Sequence, residues 1–232
     1  MDNWFINNET GRNEFQDARF YRDSRTGEMV PSVTTFLEAW PKGAAYHEWL
    51  KKHGADADEI RDEAGRRGST VHNLTEQLDF GAEVRMCGED GSPRYKMSEW
   101  AMLERYVDFR KAHAPRIIDI ETNLVDSELG YAGTLDRVME LKDDVWIIDI
   151  KTSEKPWTPE RIAIALAQLG AYAECTRWTY DVEVAGVGFV VALPDREAQV
   201  RLSGPKSFTV EDAVAAWHER RQQYREQQRS AR

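Results

Sequence analysis

Asp136, Asp149 and Lys151 are the residues whose types and spacing could do chemistry. In Val145-Trp146-Ile147-Ile148-Asp149-Ile150-Lys151, a largely apolar run ends on a carboxylate and an ammonium two residues apart. Side chains alternate faces along a strand, so Asp149 and Lys151 project from the same side as Val145 and Ile147. If Lys142-Asp143 makes a two-residue turn, Asp136 on the preceding strand falls opposite Asp149, with Cβ atoms about 5 Å apart. Carboxylates that close repel, and one tends to stay protonated unless a divalent cation lets both ionise as oxygen ligands. A lysine beside them can orient a water. An Asp-x-Lys on a strand also suits an ordinary ion pair at a sheet edge, so the tripeptide alone leaves both readings open.

The ordered combination Gly133-Thr134-Leu135-Asp136, Asp149-Ile150-Lys151-Thr152 and Gln168-Leu169-Gly170-Ala171-Tyr172 narrows the choice. Gln168 and Tyr172 are i and i+4, hence on one helical face. Core packing explains the tyrosine but does not ask for the glutamine. His72 follows Arg67-Gly68-Ser69-Thr70-Val71 in a helical stretch, where a histidine is either a packing residue or a ligand. Glu76, one turn later, could orient it or be a solvated charge. Glu121 could support a ligand or be a strand-surface acid.

The elements that must position these residues are readable from periodicity. The first thirty or so residues read as a turn-rich hairpin or loose arm, with Phe20-Tyr21 and Met29-Val30 between turns. Thr35 and Glu38 have capping-box spacing, predicting a helix to about Trp40, broken by Pro41-Lys42-Gly43 before a helical stretch through Trp49. Helices are predicted from Ala57 to about Leu78 and from Met97 to Ala112, with a polar loop from Gly81 to Pro93 between them. Strands follow over Ile117 to Val125, Tyr131 to Leu141 and Val145 to Lys151. Thr158-Pro159-Glu160 opens a helix to about Trp178. Strands near Val182 to Ala192 and Ala198 to Leu202 precede a C-terminal helix from Thr209. This order predicts an α/β fold with a central mixed sheet flanked by helices. The division is an N-terminal arm and helical cap over residues 1–115 that contributes His72, a core over 116–204 and a C-terminal helix over 205–232, all one compact unit.

Composition sets the outer limits. The 232 residues, 41% hydrophobic and 31% charged, suit a globular domain, and no apolar run approaches the roughly 20 residues a bilayer requires. Met1-Asp2-Asn3-Trp4 lacks the start of a secretory signal, so the cytoplasm is the expected location. Cys87 and Cys175, far apart, exclude a four-thiolate zinc or iron-sulfur site within the chain. A formal net charge of −10 argues against nonspecific coating of duplex DNA, while carboxylates gathered around a cation would contribute to that total.

Taken together, these motifs resemble the PD-(D/E)XK superfamily, specifically its RecB-like branch of phage and mitochondrial genome-maintenance exonucleases. Pro31-Ser32-Val33-Thr34-Thr35, the Gly68 to His72 segment, and Glu121 upstream of Gly130-Tyr131-Ala132-Gly133 match that branch too, so the likeness runs from about Phe20 to Ala192. It implies a restriction-endonuclease-like sheet with a helical N-terminal extension. It implies further that Asp136, Asp149, the Ile150 carbonyl and His72 bind Mg2+ or Mn2+, that Lys151 is catalytic, and that Gln168 and Tyr172 support the scissile phosphate or the lysine. Arg67, Thr152, Lys155 and Trp157 are candidate DNA contacts, as is Trp49 beside Lys51 and Lys52. Such aromatics can stack bases or simply anchor the core. No iron-sulfur cluster is expected.

The implied activity is hydrolysis of DNA from a free or single-stranded end, in phage or bacterial recombination, repair or replication. A recombinase, polymerase or single-strand-binding protein is the implied kind of partner. A site-selective endonuclease and a noncatalytic binding module are the alternatives on the same fold. The helical stretch from Thr34 to Ala112 must supply His72, so part of it is expected to cover the face where Asp136 and Asp149 project.

Overall fold

The computed structural model describes residues 13–15, 18–38 and 43–230. Three short strands, β1 (Asn13–Phe15), β2 (Ala18–Arg22) and β3 (Met29–Pro31), form an antiparallel sheet. Of the two expectations for this segment, hairpin or loose arm, the hairpin is the one observed over its described part. Tyr21 and Val30 are buried against Val125 and Ala132, and Ser32 bridges to Ala132, which ties this small sheet to the main one. α1 (Val33–Glu38) begins earlier than the capping-box spacing predicts. Its cap is Ser32, whose Oγ accepts the Thr35 amide at 3.1 Å, so Thr35 lies inside the helix. The predicted end at Trp40 and the Pro41-Lys42 break lie outside the described residues, as do most of the first turns and the last two residues.

α2 (Ala44–His53) leads through a 3-10 turn (Gly54–Asp56) into α3 (Ala57–Asp79), and α4 (Met97–His113) follows the polar loop. The main sheet is built from β4 (Arg116–Asp126), β5 (Tyr131–Leu141), β6 (Asp144–Thr152), β7 (Gly186–Ala192) and β8 (Gln199–Leu202) in that order. α5 (Pro159–Tyr180) crosses between β6 and β7, which are parallel, while the other neighbours are antiparallel. α6 (Val210–Ser230) closes the chain, with Thr209 and Asp212 exchanging capping bonds. The predicted mixed sheet flanked by helices is the observed one.

β7 is buried along its whole length, as expected of a parallel strand covered on both faces. It starts at Gly186 rather than Val182, in register with Trp146, whose ring lies where a Cβ on Gly186 would stand. Val145, Ile147, Val187 and Phe189 pack toward α5 and α6, and Ile148, Ile150 and Val190 pack toward α4. The sheet is thus a two-sided core. At Gly170 the backbones of α5 and α6 meet so closely that a Cβ would fall 2.0 Å from the Ala213 carbonyl oxygen. No helix among the described residues is long and apolar enough to cross a membrane.

Candidate active site

The site is a fork between two strands. Lys142 and Asp143 both have positive φ, 52° and 69°, and make the two-residue turn that pairs Leu141 with Asp144. The β5–β6 ladder runs from that turn to Arg137 and Ile148 and ends there. One step further the same register would bring Asp136 opposite Asp149. The ladder opens instead, and Asp136 Oδ2 accepts the Ile150 amide at 2.6 Å. Asp149 is buried and pairs through Oδ1 with Lys151 Nζ at 2.6 Å. Its other oxygen, Oδ2, is buried with no hydrogen-bond partner. Burial raises the Asp149 pKa to about 6, helped by Asp136, while Lys151 and His72 pull against that rise.

α3 brings His72 over the fork. Its Nε2 is 2.6 Å from the Ile150 carbonyl oxygen and 3.8 Å from Asp136 Oδ2, and its Nδ1 is 3.8 Å from Glu121 Oε1. Burial works against a charged imidazole here, but Asp136 and Glu121 outweigh it and raise the His72 pKa. Glu121 enters by a backbone departure. The β4–β5 register passes from Ile120 and Arg137 to Thr122 and Leu135, and Glu121 between them has a φ of 50°. A left-handed glutamate inside a strand costs on the order of 1 kcal/mol and is the kind of strain that collects at functional sites. Ligand atoms of His72, Glu121 and Asp136 all lie within 4.8 Å of one another. Glu76 faces the same charges, and its pKa is raised by burial and by Glu121.

A buried arginine holds these parts together. Arg137 donates to the Asp136 carbonyl oxygen at 2.6 Å, to Thr75 Oγ1 at 3.0 Å and to Asp79 Oδ2 at 2.6 Å. Thr75 in turn donates to the His72 carbonyl oxygen at 2.8 Å. Tyr106 and Arg110 complete the pairing of Asp79. One guanidinium thus fixes α3 to β5 at the level of the two carboxylates.

The cleft over the fork has a volume of about 610 Å3. Gln168 and Tyr172 wall it from α5, with Gln168 Nε2 donating to Tyr172 Oη at 3.0 Å. Gly133 makes room for that tyrosine, since a Cβ there would lie 2.6 Å from its ring. Gly68, His72 and Glu76 wall it from α3 and Thr152 from β6, while Arg19, Tyr21, Ser32 and Thr34 close it from the small sheet and α1. The cover is therefore partly β-structure, contributed by the N-terminal arm, and partly helical.

Asp136, Lys151, His72, Glu121, Glu76, Thr152, Gln168 and Tyr172 meet around one space, with Asp149 and the Ile150 carbonyl at its base. The remaining candidate DNA contacts do not join them. Arg67 pairs with Glu154 at 2.5 Å, Trp157 packs against Phe189 with its ring under Arg161, and Lys155 is exposed beyond the end of β6. Trp49 stacks on Tyr46 within α2. Sequence reasoning missed Arg19 and Tyr21, although their i, i+2 spacing on β2 gives them a common face. It also missed Arg137, whose signal is a charged residue at the alternate position between Leu135 and Met139 in the strand sequence.

The profile described as the PD-(D/E)XK nuclease superfamily matches residues 18–231. The chain belongs to this superfamily, which is described as one of nucleases. No curated protein matches the sequence. Among solved structures, one described as "Crystal structure of SSO0001" is 15% identical over 53% of this chain and 58% of that one, with a TM-score of 0.30. The chain thus spans little more than half the length of that structure, a likeness too loose to support an argument about function.

Proposed function

We propose that this chain is a DNA exonuclease of the RecB-like branch that works from a free end with Mg2+ or Mn2+. The observation that carries the reading is the covered fork, with two carboxylates and a lysine at the base of a cleft closed by α3 on one side and the small sheet on the other. Donor chemistry fits a hard divalent cation, because His72, Glu121 and Asp136 converge and Asp149 Oδ2 is buried without a partner. His72, Asp136, Asp149 and the Ile150 carbonyl would hold the ion, with Glu121 beside them. Bound there, it would polarise a phosphoryl oxygen and make a coordinated water more acidic. Lys151, fixed by Asp149, orients the attacking water and offsets charge that develops on the phosphate. Gln168 and Tyr172 support the phosphate from the α5 wall, and Thr152 and Arg19 are placed to meet the strand on either side.

A cleft closed on two sides suits a threaded single strand better than a long duplex, and the acidic surface agrees with few phosphate contacts. The test is incubation of linear single-stranded, linear double-stranded and covalently closed circular DNA with Mg2+, and with EDTA as the control. Linear strands are expected to be degraded and circles spared. Circles cut as fast as linear strands would replace the exonuclease with an endonuclease.

A further inference from the structure

Outside the cleft, the described residues include one groove lined mainly by cationic and amide side chains. It lies between α5 and α6, has a volume of about 460 Å3 and is lined by three arginines, His218 and Gln222 together with Glu174 and Glu226. Residues 218–232 carry five arginines against two glutamates in a chain whose net charge is −10, so cationic charge is concentrated at this end. Arg221, Arg225 and Arg229 are spaced i, i+4, i+8, which places three guanidinium groups along one helical face over about 12 Å.

The groove's carboxylates are already engaged. Glu174 accepts from Tyr131 Oη at 2.5 Å and pairs with His218, and Glu226 accepts from Gln222 Nε2 at 2.9 Å. Arg221 is anchored over the Tyr131 ring and donates to the Leu129 carbonyl, and both burial and its neighbour Arg225 disfavour its charge. No carboxylate pairs with Arg225 or Arg229 among the described residues, and both are exposed. Among the described residues, three arginines thus face two glutamates in the groove, and the stripe holds more cationic charge than they neutralise.

Its position relates it to the cleft. Tyr131, beneath the groove, and Gly133, in the cleft wall, are two residues apart on the same face of β5, about 7 Å along the strand. We infer that the Arg221, Arg225 and Arg229 face of α6 binds the phosphodiester backbone of a nucleic-acid strand outside the cleft, as a second, sequence-independent contact. This rests on the reading of the chain as a nuclease. Phosphate is favoured over an acidic protein surface because the fold's own substrate is a polyanion that passes the neighbouring wall.

The test is fluorescence anisotropy of an end-labelled 30-nucleotide strand, titrated across salt concentrations in EDTA. Wild type is compared with Arg225→Ala/Arg229→Ala and with Arg225→Lys/Arg229→Lys. Loss of two phosphate contacts is expected to weaken binding roughly tenfold and to flatten the slope of log affinity against log salt by about 1.4 for a single strand, while the lysine pair keeps the slope. Strands with a 5′-phosphate and with a 5′-hydroxyl are expected to lose affinity equally. A loss confined to the phosphorylated strand would mean an end-phosphate pocket and overturn backbone binding. Unchanged affinity and slope, the outcome if an acidic protein is the occupant, would also overturn it. The measurement involves no cleavage, so a chain that fails to cut leaves this test intact, and unchanged binding leaves the cleavage reading intact.

Discussion

Asp136 and Asp149 are held by different means, and that difference assigns different consequences to their loss. Asp136 caps the Ile150 amide, whereas Asp149 holds Lys151. Asp136→Ala and Asp149→Ala are both expected to abolish cleavage in folded protein. Each also strands a buried donor or charge, at a cost of about 1–3 kcal/mol in thermal or chemical unfolding without metal. Folded variants that cut at the wild-type rate would end the assignment. Lys151→Ala should lose at least 100-fold in turnover while calorimetry still finds the metal, because the lysine acts on water and phosphate rather than on the ion. His72→Ala should weaken metal binding about 10- to 100-fold, with activity partly restored at higher Mn2+. Unchanged activity at limiting metal would return His72 to a packing role. Asp136, Asp149 and Lys151 were readable because strand alternation and a two-residue turn fix their faces without tertiary information, whereas His72 rested on the family resemblance. Glu121 was underrated because its approach depends on a positive φ that no local pattern announces.

At the scale of elements, β4, β5 and β6 were readable to within a residue at each end, since their apolar alternation and turn residues are local signals. The hairpin of the small sheet was readable as one of two alternatives, but its closure of the cleft was not. It depends on Tyr21 and Val30 packing against Val125 and Ala132, which are distant in sequence. The Arg137 network was hidden for the same reason, as its partners lie on α3, α4 and β5. Arg137→Met alone is expected to destabilise by about 3–5 kcal/mol, since it leaves Asp79 buried with only Arg110 to balance it. Asp79→Leu/Arg137→Met should recover much of that stability but not the metal affinity, because α3 would no longer be pinned to the Asp136 carbonyl. Calorimetric metal binding at the wild-type level in the double variant would show that the network is structural only.

Across the whole molecule, the small sheet is locked to the main sheet by a second buried acid. Asp23 accepts from the Arg25 side chain and amide and from the Ser127 amide, which joins the β2–β3 loop to the β4–β5 turn. Burial pushes the Asp23 pKa up, but the Arg25 and Ser127 bonds outweigh it and hold the carboxyl well below its ordinary value. A folded-state pKa below the unfolded one adds stability that is complete at neutral pH and is lost as pH falls below about 5. Asp23→Asn should therefore cost about 1–2 kcal/mol at pH 7, and the gap from wild type should close as the medium is acidified toward pH 2. A difference that stays constant with pH would mean that the carboxylate charge contributes nothing. Loosening this lock should also lower activity before the main sheet unfolds, since Tyr21 and Arg19 wall the cleft.

The turn at Lys142-Asp143 bears on the order in which the chain assembles. It closes the hairpin of β5 and β6 over the shortest possible loop, so Asp136 and Asp149 can be brought together early. Pairing of β6 with β7 must wait for α5, and His72 must arrive from a segment 78 residues away from Ile150. Neither turn residue is glycine, although both adopt a left-handed backbone. Lys142→Asn/Asp143→Gly should therefore stabilise the protein by about 1 kcal/mol, and in stopped-flow experiments the gain should appear as faster refolding with little change in the unfolding rate. Slower unfolding at an unchanged refolding rate would mean that the hairpin forms after the rate-limiting step.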